Sequence, residues 1–278
     1  PCFEEIYGNP SSLHSVGQDA FHAVRDARNT IAECINADPN DVYFSSGGSE
    51  SDNWAIKGAA YLMAKKGKKH IISSKFEHHA VLHTCEFLEK QGCEVTYVPV
   101  DEKGLVNPLD IKNAIREDTA LVTIMYANNE IGTIQDIKSI ARLVHRYGAT
   151  FHTDSVQAFG QLSIDVNDLG IDMLSVSGHK IGAPKGIGFL YKRNGVKIKP
   201  LIYGSQMDGM RGGTENVPYI IGMAKAVKLI QNDKELGLRL SLLRDNFISY
   251  LQEDHNKIRR YDIINVKLPG MMNFKDGI

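Results

Sequence analysis

The sequence predicts an α/β fold, a mostly parallel central sheet sandwiched by helices. Short apolar or β-rich runs alternate with stretches of helical period along most of the chain. Residues 121–126 form a continuous apolar run, as expected of a strand buried on both faces. The residues with chemistry to offer fall at the ends of predicted strands, where open α/β sheets hold their ligands.

The elements follow in order. Residues 20–35 carry Phe21, Val24, Ala27, Ile31 and Ile35 at helical spacing. Residues 41–45 are a short β-rich run that stops at Gly47-Gly48, and a helix follows to about residue 64. Residues 70–72 read as a strand, 79–91 as a helix, 94–98 as a strand and 108–115 as a helix. After the 121–126 strand, Asp136 opens a helix that runs to about Tyr147, with Gly148 as its stop. Residues 149–152, 173–176 and 187–191 read as further strands. The helical period over 217–252 divides into two helices near Asn232-Asp233. There is no internal repeat or low-complexity tract. The composition shifts near 254–260, which marks a domain boundary.

Composition narrows the function. The chain has 278 residues, 42% hydrophobic and 23% charged, in keeping with a soluble globular protein. A net charge of −1 argues against nucleic-acid binding driven by bulk charge. No apolar run approaches a membrane span, and Pro1-Cys2-Phe3-Glu4-Glu5 lacks a basic-then-apolar signal pattern. Cys2, Cys34, Cys85 and Cys93 are scattered without paired zinc spacing, so a reduced, cytoplasmic setting is expected.

Two strand ends stand out. Ser175-Val176-Ser177-Gly178-His179-Lys180 sets a lysine after a short apolar strand and a Ser-Gly-His turn. Phe151-His152-Thr153-Asp154 ends a second strand in a carboxylate. Such a lysine can form a Schiff base with the aldehyde of pyridoxal phosphate, whose pyridine nitrogen needs a carboxylate to stay protonated. The plainer reading makes Asp154 a turn residue and Lys180 a solvated one. Phe44-Ser45-Ser46-Gly47-Gly48-Ser49-Glu50-Ser51-Asp52-Asn53 is a strand, glycine turn and helix start. It reads either as an anion site built on free helix N–H groups or as a capped helix, with Ser49 and Asp52 a loose capping pair. His79 and His83 stand one helical turn apart, a spacing that can bind zinc, but no third ligand is near. His78, at the turn, is the histidine expected to stack on a flat cofactor. Asn128-Asn129-Glu130 offers two amides to a ligand oxygen, or an Asx turn. Gln157 stands three residues beyond Asp154, and Met210-Arg211-Gly212-Gly213-Thr214 offers a hydroxyl to a phosphate of this or a neighbouring subunit.

Taken together, these motifs resemble the cysteine desulfurases of the class V aminotransferase group. The ordered set is Tyr7-Gly8-Asn9-Pro10-Ser11-Ser12 with His14, Ser46 to Asn53, Glu77-His78, Asn128-Asn129-Glu130-Ile131-Gly132, Asp154, Gln157, Ser177-Gly178-His179-Lys180 and Arg211-Gly212-Gly213-Thr214. The resemblance implies a fold-type I homodimer with pyridoxal 5'-phosphate at the subunit interface. Residues 1–255 are then the large cofactor-binding domain, and 256–278 the start of a small C-terminal domain whose remainder is absent. It implies that Lys180 is the Schiff-base lysine, Asp154 the partner of the pyridine nitrogen and His78 the histidine over the ring. Asn129 and Gln157 match the ligands on the phenolic oxygen side. Gly48, Ser49, Ser177 and His179 match phosphate ligands of the same subunit, and Thr214 a phosphate ligand donated across the dimer.

The implied reaction takes sulfur from L-cysteine. Cysteine displaces Lys180 from the cofactor aldehyde, the freed lysine moves a proton from the substrate α-carbon, and His78 relays protons near the thiol. A mobile enzyme cysteine attacks the sulfur, leaving alanine and a protein persulfide for iron–sulfur cluster assembly or tRNA thiolation through an acceptor such as an iron–sulfur scaffold protein. The alternatives are a selenocysteine lyase, an aminotransferase, or a cofactor-binding but inactive partner. Two departures accompany the match. None of the four cysteines matches the family's Ser/Gly-rich nucleophile loop, and that loop and the substrate-carboxylate arginine are expected beyond a tail, Lys267-Leu268-Pro269-Gly270-Met271-Met272-Asn273, that opens the small domain. The family's first strand is also absent before Pro1, so the chain is expected to be a piece of a longer protein. In addition, Tyr203-Gly204-Ser205-Gln206-Met207-Asp208-Gly209 is shorter than the family's loop and lacks its Gln-Glu-Arg pattern.

Overall fold

Helices begin where polar side chains take up the first free N–H groups of the backbone. Asn107 accepts from the Leu109 N–H at 3.0 Å, with Pro108 as the first residue of its helix. Asp136 accepts from Ser139 at 3.1 Å, and the helix it opens buries Ile137, Ile140, Ala141 and Val144 as one stripe. Gly148, at φ 69°, follows that helix in a left-handed conformation suited to glycine.

The computed structural model describes residues 2–233 and 235–254. In chain order the elements are α1 (Ser15–Cys34), β1 (Val42–Ser45), α2 (Gly48–Ala64), β2 (His70–Ser74), α3 (His79–Glu89), β3 (Glu94–Val98), α4 (Pro108–Ala114), β4 (Thr119–Thr123), α5 (Ile137–Arg146), β5 (Thr150–Asp154), α6 (Val166–Leu169), β6 (Met173–Ser177), β7 (Gly188–Lys192), α7 (Val217–Asn232) and α8 (Leu236–Asp254). The domain boundary expected after residue 255 and the small-domain start at 256–278 lie outside the described residues.

The strands form one sheet in the order β1-β7-β6-β5-β4-β2-β3. Strands β2 to β6 are mutually parallel, and β7 is antiparallel to both β6 and β1, so the sheet is mostly parallel as the sequence suggested. Successive strand side chains point to opposite faces. Leu121, Met173 and Leu190 therefore join Trp54, Ile56 and Leu88 of α2 and α3, while Val122, Phe151, Phe189 and Tyr191 join Ile31, Val144 and Val227 of α1, α5 and α7.

Two buried histidines tie strands together sideways. His70 of β2 bonds Thr119 of β4 and Thr96 of β3, both at 2.8 Å. His152 of β5 bonds Thr123 of β4 at 2.8 Å and Ser175 of β6 at 2.9 Å.

The differences from the expected elements are local. α1 starts at Ser15 because the His14 ring accepts from the Gly17 N–H at 3.2 Å, a cap that apolar spacing does not reveal. β4 starts at Thr119, ahead of the apolar run. Beyond its formal end the chain still follows β5, with Ile124 N–H on the His152 carbonyl and Tyr126 N–H on that of Asp154. The four-residue α6 was not expected; Asp165 caps it and left-handed Gly170 ends it. The break between α7 and α8 falls at Asp233, as the sequence indicated.

Candidate functional site

Direction in the sheet decides where the chemistry collects. β1, β2, β4, β5 and β6 all run the same way, so their carboxyl ends emerge along one edge. There a cavity of about 300 Å³ is lined by Gly48, Ser49, Asp52, His78, Met125, Asn129, Asp154, Val156, Gln157, Ser177, His179 and Lys180. Nine residues singled out in the sequence meet here: Gly48, Ser49, His78, Asn129, Asp154, Gln157, Ser177, His179 and Lys180.

The start of α2 is pressed against the strand ends. Gly47 sits at φ 148°, and no side chain caps the helix. A β-carbon on Gly48 would lie 2.5 Å from Val156 Cγ2, and one on Gly188 would lie 2.7 Å from the Gly47 Cα. Only glycines allow this approach, and it sets the N–H groups of the first helical turn beside Ser177 and His179. The Ser177 hydroxyl and His179 Nδ1 are 2.8 Å apart. The capping pair expected from Ser49 and Asp52 does not form. Instead Glu50 Oε2 accepts from the Ser46 N–H at 2.8 Å, and Arg211 donates to both Glu50 oxygens at 2.9 and 3.2 Å. Burial alone would raise the Glu50 carboxyl, but Arg211 and Ser46 hold it below the usual range.

His78 caps α3: its Nδ1 accepts from the Ala80 N–H at 3.1 Å, leaving Nε2 to carry the proton of the neutral ring. Burial, and then the charges of His79, Lys180 and His83, push its pKa down. His79 and His83 are exposed on α3, and among the described residues no group of three or more His, Cys, Asp or Glu could hold a metal ion. The two amides of the β4–α5 connection divide. Asn128 makes an Asx turn, accepting from Glu130 N–H at 2.7 Å and Ile131 N–H at 2.9 Å, while Asn129 lines the cavity.

Asp154 is buried and accepts from the Val156 N–H at 2.9 Å. Burial raises its pKa to about 6, opposed by that bond and by the nearby Lys180 charge. Lys180 lies in a single helical turn after β6 that left-handed Gly182 ends. Gln157 Oε1 is buried with no hydrogen-bond partner, a polar atom left for a ligand.

Sequence reasoning missed Asp52, Met125 and Val156 as lining residues. Asp52 had a signal: it lies four residues after Gly48 and three before Ala55, on the buried stripe of α2, where a carboxylate is out of place. Thr214 is not among the lining residues; it is exposed, next to a segment fixed by Gly212 N–H on the Ile202 carbonyl and Gly213 N–H on Gln206. None of the four cysteines lines the cavity. Cys85 is buried, and its thiol is pushed up to about 12, while burial also raises Cys34 and Cys93.

Glu77, at the exit of β2, is also buried. Its Oε1 accepts from the Ser74 hydroxyl at 2.7 Å and from the Met125 N–H at 3.0 Å, clamping the β2 and β4 exits together. Oε2 has no partner, and burial carries the pKa from 4.5 to about 8. A carboxyl with a raised folded pKa stabilises the fold fully below its unfolded pKa, and that contribution is lost as pH rises through 8. Glu77→Gln cannot ionise and keeps an acceptor for both bonds. Its stability relative to wild type is therefore expected to rise between pH 5 and pH 8, by up to about 1.4 kcal/mol per pH unit. Thermal melts across that range measure it; a flat difference would show that Glu77 does not titrate there.

Known proteins match this chain closely. The aminotransferase class-V family model matches residues 1–275. A cysteine desulfurase IscS of Dictyoglomus turgidum is 49% identical over 277 residues, covering 99% of this chain and 70% of that protein. One from Methanosarcina thermophila is 53% identical over 253 residues, covering 90% of this chain and 62% of that protein. Among solved structures, a NifS-like protein superposes with a TM-score of 0.88 at 39% identity, covering 91% of this chain and 70% of that one.

Proposed function

The chain belongs to the class-V aminotransferase family, among the cysteine desulfurases, and from that premise we propose how its own residues divide the work of taking sulfur from L-cysteine. The fold is that of fold-type I enzymes, and the cofactor is pyridoxal phosphate. The observation that carries the reading is one cavity lined by a lysine, a buried carboxyl and a glycine-built helix start. Those residues fit the cofactor: the helix N–H groups with Ser177 suit its phosphate, Asp154 its ring nitrogen, and the unpartnered Gln157 oxygen and Asn129 its ring hydroxyl side.

When bound, pyridoxal phosphate supplies an aldehyde that takes up an amine and a protonated ring that draws electrons from the bond being broken. Gly48, Ser49, Ser177 and His179 hold the phosphate in this reading. Asp154 orients the ring and keeps its nitrogen protonated. Lys180 would hold the aldehyde, and its amine would serve as the base for the proton of the substrate α-carbon. His78 would stand over the ring, where its Nε2 proton would be available to the substrate thiol. Thr214 is assigned to the phosphate of a second copy, which makes the working unit a homodimer. The sulfur passes to a thiol other than Cys34, Cys85 and Cys93, whose burial disfavours the thiolate, and onward to an acceptor protein such as an iron–sulfur scaffold. No helix among the described residues is long and apolar enough to cross a membrane, and the setting we assign is cytoplasmic.

The test is incubation of the full-length protein with pyridoxal phosphate, L-cysteine and a reductant. Sulfide and alanine should appear in equal amounts. Keto acid in place of alanine would make the protein an aminotransferase instead. His78→Ala is expected to lower turnover on the order of a hundredfold, and His79→Ala to stay within about twofold, because His79 is exposed on α3. Equal losses in the two variants would show the roles to be misassigned.

A further inference from the structure

Asp52 lines the cavity, yet it is 1% exposed, and its Oδ1 has no hydrogen-bond partner. Its surroundings come from three strands. From β5, His152 Nε2 lies 3.7 Å away and Asp154 adds a second carboxyl; from β6 comes the Ser175 hydroxyl, 2.9 Å from the same His152 nitrogen; beyond β2 stands Glu77. Asp154 and Glu77, the charged groups acting on Asp52, are both acids. His152 does not supply a positive charge. Both its ring nitrogens meet hydroxyls, and burial keeps the ring neutral, with a pKa near 3.

Two buried carboxyls lining one cavity each disfavour the other's ionisation, and the one with the better anion contacts gives up its proton first. Asp154 has those contacts: the Val156 N–H donates to it at 2.9 Å, and the Lys180 charge acts on it. We propose that of these two cavity-lining carboxyls only one is ionised: Asp52 holds its proton, and Asp154 is left as the carboxylate offered to the ring. Asp52 is thus a positioning residue. It leaves the negative charge on Asp154, and its own carboxyl is packed beside the His152–Ser175 pair. Burial and the neighbouring Asp154 both act to keep the Asp52 proton on. The use made of that charge rests on the reading that Asp154 meets the ring nitrogen; the position of the proton does not.

The experiment is carbon-13 NMR of the full-length protein labelled at the aspartate carboxyl carbon, at pH 7.5, with and without pyridoxal phosphate. One aspartyl carbon should keep the chemical shift of a protonated acid, and Asp52→Asn should remove that signal. Two results would overturn the proposal. One is every aspartyl carbon of the wild type at its carboxylate shift; the other is a protonated signal that survives in Asp52→Asn. The wild-type spectrum stands even if the variant does not fold. Failure to bind pyridoxal phosphate would defeat the cofactor reading alone and leave the proton count intact.

Discussion

Lys180→Ala is expected to abolish the visible absorbance of the lysine-held cofactor and to lower turnover by at least about 10³-fold. The residue stands in the turn after β6, within the influence of the Asp154 carboxyl and lining the same cavity as His78. In the proposed assignment, alanine removes both the amine that would hold the aldehyde and the base that would take the α-proton. His78 is neutral but already tied to Ala80 by one ring nitrogen. Borohydride reduction followed by peptide mapping gives a second readout. The wild type should carry the reduced cofactor on the peptide containing Lys180, and the variant should carry none. Labelling at another lysine, or a visible band that persists in the variant, would remove Lys180 from its assigned role.

Asp154→Asn should lower turnover about 10²–10³-fold and weaken cofactor binding, because the amide cannot supply the charge that the proposed role of Asp154 requires to keep the ring nitrogen protonated. The pH dependence gives the sharper test. The pKa of Asp154 is raised to about 6 by burial, so below that pH the wild-type carboxyl takes up a proton and loses its charge. Cofactor affinity in the wild type should therefore fall as pH drops below about 6. In Asp154→Asn it should start lower and lack that acid limb. An acid limb that survives unchanged in the variant would assign the titration to another group. The asparagine can still accept from the Val156 N–H, so the comparison isolates charge from local geometry.

Much of this was legible in the chain because the sheet is parallel and doubly covered. Strands such as 121–126 announce themselves as apolar runs, and the glycines and polar residues that follow them have no place in a core. Asp154, Lys180 and Gly48 could be read one strand end at a time. What could not be read came from contacts between distant segments. The His14 cap on α1 depends on a ring turning back to its own helix, and α6 on a capping Asp165 within only four helical residues. Asn128 and Asn129 are the same residue type side by side. Only the Asn128 bonds to Glu130, Ile131 and Phe76 separate the structural amide from the one lining the cavity. The spacing of α2 places Asp52 on its buried stripe, but its neighbours His152, Ser175 and Asp154 stand about a hundred or more residues further along, so only the fold shows what surrounds it.

The imidazoles of His70 and His152 carry a consequence for how the chain finds its alignment. Parallel neighbours with uniformly apolar side chains offer little to tell one offset from another, since Val, Ile and Leu exchange places at small loss. A shift by one residue at β2 or β5 would turn its imidazole from one layer to the other and strand both nitrogens away from their hydroxyls. Each such orphaned polar group disfavours the slipped arrangement by about 1–3 kcal/mol. Thr96, Thr119, Thr123 and Ser175 thus act as index marks for β2 through β6, and the catalytic edge inherits its alignment from them.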